Sequence, residues 1–168
     1  MLDDRGLTLL RDAEHSDLSA IVEIYNDAVL TSTATFEENM QSVESRRDWF
    51  SSHGKEFPLV VAVANGEVIG FCSLSLFQKN SGYRNTAELT VYVEKENRRK
   101  GIATILMDEI LERARKLGFH AIISSISSDN LPSVKLHEKF RFEKVAHLRE
   151  VGFKFSKWQD TCYYELIL

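Results

Sequence analysis

The residues best suited to chemistry lie in one run, Val91-Tyr92-Val93-Glu94-Lys95-Glu96-Asn97-Arg98-Arg99-Lys100-Gly101-Ile102-Ala103-Thr104. An apolar strand enters a short charged turn, and the turn opens a long amphipathic helix. The first amides of a helix have no partner inside it, and the helix dipole favours an anion at that end. Arg98, Arg99 and Lys100 add positive charge at the same place. Gly101 and Ala103 keep bulk away from the backbone, and Thr104 offers a hydroxyl, so a diphosphate could approach the amides. A basic triplet alone is as often a solvated turn; the order strand, turn, glycine, helix favours a phosphate cradle. Neither GxxxxGK[ST] nor GxGxxG occurs, so the cradle is neither a P-loop nor a dinucleotide-binding turn.

Just ahead of the turn, alternation in Glu88-Leu89-Thr90-Val91-Tyr92-Val93 sets Glu88, Thr90 and Tyr92 on one face and the apolar residues on the other. A carboxylate there could take a proton from an ammonium, directly or through water. The plainer alternative is a solvated glutamate, paired with Arg84. Arg84 itself could grip a carboxylate in bidentate fashion. His137 carries an imidazole that can exchange protons near neutral pH, although a lone histidine on a short helix is more often structural. Asn130, just before that helix, suits an N-cap. His15, His53, His120 and His147 show no ligand spacing, and no metal is expected. Phe153, Phe155 and Trp158 read as a subunit or core contact rather than a binding box.

These groups need a scaffold. Leu7 to Leu10 reads as an edge strand. A helix capped by Ser16 and Asp17 follows, with Leu18, Ile21, Ile24, Tyr25, Ala28 and Val29 on one stripe. A second helix is expected from Ser42 to Gly54, with Trp49 and Phe50 buried. Leu59–Ala64 and Val68–Leu76 flank Asn65-Gly66, a strong hairpin signal. Ala87–Val93 is a strand, Lys100–Leu117 a long helix closed by Gly118, Phe119–Ile126 a strand, and Pro132–Phe140 a short helix. Strands near Val145–Val151 and Cys162–Leu168 end the chain. The expectation is one α/β domain over residues 1–168: a mixed central sheet of about six to seven strands flanked by about four helices.

Composition agrees. The chain has 168 residues, 43% hydrophobic and 27% charged, and a net charge of −4, which suits one globular domain and argues against nucleic-acid binding through bulk charge. MLDDRGLTLL lacks a signal-peptide core, and no apolar run approaches the ~20 residues of a spanning helix. With no export signal, Cys72 and Cys162 are expected as reduced thiols. A cytoplasmic protein without membrane or nucleic-acid partners is the resulting expectation.

The pattern Arg98-x-x-Gly101-x-Ala103, after a VYV strand and before a long helix, resembles the R/Q-x-x-G-x-G/A signature of the GCN5-related N-acetyltransferase (GNAT) superfamily. Asn130-Leu131-Pro132-Ser133-Val134-Lys135-Leu136-His137-Glu138-Lys139 is similar to the family's second coenzyme motif. Phe36 in TATFE, Tyr83-Arg84 before AE-x-TVYV, and REVGFKFSKWQD resemble the branch of phosphinothricin and methionine sulfone/sulfoximine acetyltransferases. Three positions depart from that pattern: Arg141, where a glycine is usual; Leu89, where a small polar residue is more common; and Ser156, in place of a common glycine.

The resemblance implies acetyl-CoA as co-substrate, with its pyrophosphate on the loop from Arg98 to Thr104 and its pantetheine paired with the backbone of Val91, Tyr92 and Val93. Asn130 and Ser133 would add coenzyme contacts. It implies Glu88 as general base, the amide near Val91 as oxyanion donor, and His137 as the acid for the departing thiolate, where many members carry tyrosine. Phe36, Ser75, Tyr83, Arg84 and Glu88 are the acceptor-side candidates. The implied reaction is direct attack of an amino-acid-like amine in a ternary complex, with a homodimer as the compatible assembly. A polyamine, a peptide N-terminus, or a non-catalytic acyl-CoA sensor are the alternatives. A hydrolase finds no support: GxSxG is absent and no Ser/His/Asp set stands out.

Overall fold

In the computed structural model, which describes residues 8–168, seven strands form one sheet in the order β1-β2-β3-β4-β5-β7-β6. They are β1 (Leu9–Asp12), β2 (Leu59–Ala64), β3 (Glu67–Leu76), β4 (Thr86–Val93), β5 (Ala121–Ser127), β6 (Glu143–Lys154) and β7 (Lys157–Ile167). The helices are α1 (Leu18–Thr31), α2 (Arg47–Ser51), α3 (Ile102–Leu117) and α4 (Leu131–Lys139). Neighbouring strands run antiparallel except β4 and β5. That pair is parallel because α3 makes the crossover between them.

The sheet has helices on both faces. On one, Leu106, Met107 and Ile110 of α3 are fully buried against Val60, Leu74, Ala87 and Ile122. On the other, Ile21 of α1 and Phe50 of α2 close over Val61 and Phe71. Leu89 belongs to the α3-side core, so this departure from the family pattern leaves the face that carries Glu88 unchanged.

Most expected elements are present with shifted ends. The first strand is β1, at the sheet edge; Leu7 lies outside the described residues. The expected Ser42–Gly54 helix is a correction: only Arg47–Ser51 is helical. Ser42 and Ser45 bond each other's backbone amides, and both the Ser52 hydroxyl (2.6 Å) and His53 Nδ1 (2.8 Å) donate to the Trp49 carbonyl. Such side-chain bonds compete with helix propagation. At the N-terminus of α1, Asp17 caps a 3₁₀ turn, accepting from the Glu14 amide at 2.7 Å, before the α-helix begins at Leu18.

α3 starts at Ile102 rather than Lys100 because Gly101 takes φ +88°, and it ends at Gly118 with φ +80° as expected. The last two strands are much longer than expected. They form a hairpin whose two-residue turn, Phe155-Ser156, has φ +54° and +58°. Left-handed conformation at both positions matches a type I′ turn, but Phe-Ser is not its usual sequence. Cys72 and Cys162 are both free and buried.

Candidate active site

The site is built around a gap in the sheet. β4 and β5 pair only at Thr86↔Ala121, Ala87↔Ile122 and Glu88↔Ile123, and then diverge. The Ser124 hydroxyl lies 3.2 Å from the Leu89 carbonyl, and Arg98 Nε donates to the Val93 carbonyl at 3.0 Å. Leu89 and Val93 therefore turn their backbone polar groups into the gap. With a period of two, Val91 does the same, and its amide and carbonyl have no strand partner there. Tyr92 and Thr90 turn theirs to β3.

A cleft of about 460 Å³ opens along this edge, lined by Val91–Val93, Asn97–Arg99, Gly101–Thr104, Asn130, Pro132, Ser133 and Leu136, with Ala28, Ser32 and Ala34 of the α1 end opposite. A narrower extension runs past Leu89–Tyr92 to Ser124, Ser125 and His137. The expected coenzyme residues Arg98, Arg99, Gly101, Ile102, Ala103, Thr104, Asn130 and Ser133 thus share one cavity wall; Lys100 is exposed on the same turn and donates to Asn97 Oδ1 at 3.2 Å.

Within the turn, Arg99 takes φ +61° and Gly101 φ +88°. A Cβ added to Gly101 would meet nothing within 4 Å, so the backbone angle, not crowding, requires glycine, and the amides at the start of α3 stay open to an anion. Arg98 has a different duty from the one its charge suggests. Its Nη2 pairs with Asp27 of α1 at 2.5 Å while its Nε holds the Val93 carbonyl. It ties α1, β4 and the turn together. Asn130 caps α4 by accepting from the Ser133 amide at 3.3 Å and also lines the cleft.

On the opposite face of β4, Glu88 sits beside Ser75 in the β3–β4 register, and Thr90 beside Ser73, with hydroxyls 3.0 Å apart. Glu88 is half-buried, and its carboxyl forms no ion pair among the described residues. Burial pushes its pKa above the usual carboxylate value. Ser75 contacts His53 Nε2 at 3.2 Å, and since His53 Nδ1 donates to the Trp49 carbonyl, the Ser75 hydroxyl is the donor when His53 is neutral. Burial lowers the His53 pKa.

His137 is only 2% exposed. Its Nδ1 lies 2.8 Å from the Ser133 carbonyl, which can only accept, so that nitrogen carries the proton. Nε2 meets the Ser124 hydroxyl at 3.0 Å, and burial depresses the imidazole pKa. A neutral His137 therefore accepts from Ser124. One hydroxyl hydrogen cannot serve both Nε2 and the Leu89 carbonyl; an imidazolium would release it to the carbonyl. Ser124 stands between His137 and the gap.

The remaining acceptor-side candidates are less confined. Tyr83 is exposed and meets Phe77 edge-on; Arg84 is exposed and donates to the Ser81 carbonyl of its own turn at 3.3 Å. The Phe36 ring lies against Gly152, where an added Cβ would come within 2.5 Å. Sequence reasoning missed Tyr25, Arg46, Trp49, His53, Ser124 and Lys154. Lys154 is buried and holds the α1 end over the cleft through the Ser32 and Thr35 carbonyls, at 2.8 and 2.7 Å. Ser124 could have been flagged, because it is a hydroxyl inside the apolar run of β5. The others required tertiary contacts. Among the described residues no three His, Cys, Asp or Glu side chains converge as a metal site.

Comparison with known proteins agrees with this geometry. The model of the acetyltransferase (GNAT) domain matches residues 10–163, and the chain belongs to that family. It is an acyltransferase, with acetyl-CoA as the co-substrate. An L-methionine sulfoximine/L-methionine sulfone acetyltransferase of Pseudomonas aeruginosa is 37% identical over 161 residues, 95% of this chain and 94% of that one. The structure of a phosphinothricin acetyltransferase from Sinorhizobium meliloti in complex with acetyl-CoA superposes with TM-score 0.92 at 36% identity, covering 96% of this chain and 88% of that one. A ribosomal-protein-alanine N-acetyltransferase structure from Brucella melitensis gives TM-score 0.91 at 37% identity, covering 95% and 99%.

Proposed function

We propose that this protein acetylates the amine of a small amino-acid-like acceptor of the methionine sulfone, methionine sulfoximine or phosphinothricin type, by direct attack in a ternary complex. The observation that carries this reading is the open edge of β4, with cradle amides at one end and a half-buried, unpaired Glu88 on the opposite side. The residues fit acetyl-CoA: the amides opening α3 and Arg99 would take its diphosphate, and the Val91 and Val93 edge would pair with the pantetheine as an added strand. Acetyl-CoA supplies the acetyl group as an activated thioester.

Glu88 removes the ammonium proton of the acceptor, its raised pKa making it a stronger base than an exposed carboxylate. The Val91 amide donates to the carbonyl oxygen as negative charge develops there. His137 can protonate the departing sulfur only as an imidazolium, Nε2 passing its proton to the Ser124 oxygen as the Ser124 hydrogen moves to the sulfur; neutral, it holds the Ser124 hydroxyl and the sulfur leaves as thiolate. Phe36 and Ser75 line the acceptor side, and Tyr83 with Arg84 its exposed rim. The whole chain, residues 1–168, serves as one acetyltransferase domain. No helix among the described residues is long and apolar enough to cross a membrane, and the cytosol is the proposed location, without membrane or nucleic-acid partners. The exposed apolar residues of β6 and β7 support a homodimer.

The deciding experiment is a thiol-release assay with acetyl-CoA across free amino acids, phosphinothricin, methionine sulfoximine and sulfone, polyamines and short peptides. Turnover concentrated in the amino-acid analogues is expected. The similarity to the Brucella alanine acetyltransferase makes a peptide N-terminus the second reading, and turnover restricted to peptides would establish it instead. CoA binding without turnover of any amine would leave only an acyl-CoA sensor.

A further inference from the structure

A buried cation takes no part in the chemistry above. Lys154, the last residue of β6, is 2% exposed and forms no ion pair among the described residues. A charge so placed is costly unless its protons are used. Two of an ammonium's three are used here: Nζ donates to the Ser32 carbonyl at 2.8 Å and to the Thr35 carbonyl at 2.7 Å. Nζ also lies 5.1 Å from the centre of the Phe155 ring, within range of a cation–π attraction. Ser32 directly follows the last turn of α1, the end at which the helix dipole favours a cation.

The bonded carbonyls belong to a short strap, residues 32–36, that is neither helix nor strand. Three more side chains hold it. Tyr92 of β4 donates to the Ala34 carbonyl at 3.2 Å, Tyr25 Oη lies 2.9 Å from Thr35 Oγ1, and Thr33 donates to Asp129 at 2.5 Å. Ser32 and Ala34 line the coenzyme cleft, and Ala34 also lines its extension towards His137. Lys154 bonds two strap carbonyls at once, one on each side of Thr33-Ala34, and so fixes the separation of the strap's ends. We propose that Lys154 is a positioning residue for the coenzyme: by holding Ser32 and Thr35 it sets this wall of the cleft in place for the pantetheine arm before any coenzyme arrives. This rests on the placement of acetyl-CoA along β4 proposed above. Without Lys154, binding would have to order the strap, and that entropy would be subtracted from the affinity. The role lies on the coenzyme side and holds for whichever amine is the acceptor.

The test compares the wild type, Lys154→Met, Lys154→Arg and, as an exposed control on the same hairpin, Lys157→Met. The measurements are calorimetric titration with CoA, thiol release from acetyl-CoA with methionine sulfone, and thermal melting. Lys154→Met is expected to weaken CoA affinity roughly 10-fold, the order of fixing one backbone residue on binding. The KM for acetyl-CoA rises by the same factor, with kcat nearly unchanged. Tm stays close to that of the wild type, because removal of a buried charge offsets the loss of two hydrogen bonds, and the half-buried strap can turn its carbonyls to water. The amides of Ala34 and Glu37, bonded to the Ser32 and Thr35 hydroxyls, exchange faster with solvent, while those of α1 do not. Lys154→Arg, which can still donate to two carbonyls, recovers part of the affinity, and Lys157→Met retains all of it. A folded Lys154→Met that binds CoA as the wild type does overturns the proposal, whatever its Tm. Should that variant not fold, the Lys154 Nζ resonance of ¹⁵N-lysine-labelled wild type decides: it shifts when CoA fills the cleft, and an unmoved resonance refutes the assignment. Should methionine sulfone not turn over, the CoA titration decides alone. A wild type that binds no CoA removes the coenzyme placement together with the role of Lys154.

Discussion

Glu88 is held in a costly state. Its carboxyl is half-buried with no ion pair among the described residues, and burial raises its pKa. A raised carboxylate pKa favours the protonated form, so folding pays a penalty at pH values above the ordinary one, and that penalty fades as the pH falls. Glu88→Gln is thus expected to raise Tm at neutral pH while lowering kcat by about 100-fold or more, with CoA affinity unchanged; calorimetry and steady-state rates measure both. Normal turnover would remove the base assignment. His53 and His137 carry the opposite sign. Burial depresses both imidazoles below 6.5, so the unfolded chain binds protons that the native protein refuses, and stability falls as the pH drops below that value. Urea unfolding at about pH 7 and about pH 5 should show the loss, and a folded His137→Gln should lose less. An identical loss in the variant would contradict the buried, neutral His137.

At the scale of elements, the site depends on turns with left-handed residues. Arg141 closes α4 with φ +64°, its amide on the Glu138 carbonyl at 2.9 Å, and the Phe142 amide reaches back to His137 at 3.0 Å. The turn therefore forms with arginine, at the cost of a strained backbone. Arg141→Gly should stabilise the protein by about 1 kcal/mol, read as a higher urea midpoint, with activity retained because the Phe142 contact to the His137 ring is kept. No gain would show that the arginine side chain compensates the strain. Ser156, in the β6–β7 turn with φ +58°, is the same situation repeated. The parting of β4 and β5 matters more than any turn: had the pair continued past Glu88, the Val91 amide would be bonded to β5 and closed to a ligand.

For the whole molecule, the outer hairpin carries the unresolved apolar surface. Val151, Phe153, Phe155 and Trp158 are exposed, Trp158 at 62%, so the expectation of a core contact for these aromatics fails, and a subunit contact is the proposal. Exposed apolar area on an edge strand is normally covered. Light scattering should give twice the chain mass for the wild type and a monomer for Trp158→Glu. A wild-type monomer would refute the dimer. Because Phe36 rests on Gly152 of the same hairpin, dissociation should also raise the acceptor KM more than that for acetyl-CoA.

What local order could decide was readable from the chain alone. The cradle follows from a strand, a basic turn and Gly101 before a helix, and the side of β4 that bears Glu88 follows from alternation, since both depend only on neighbours in sequence. The longer β6–β7 hairpin escaped that reading because Phe155 and Ser156 adopt angles that their residue types rarely take. Folding alone decided which groups meet across distance: Arg98 spent on Asp27, Ser124 interposed before His137, and Lys154 bonded to the Ser32 and Thr35 carbonyls. Those pairings join elements whose spacing along the chain carries no periodic signal, and their energies come from burial and geometry that exist only once the sheet is assembled.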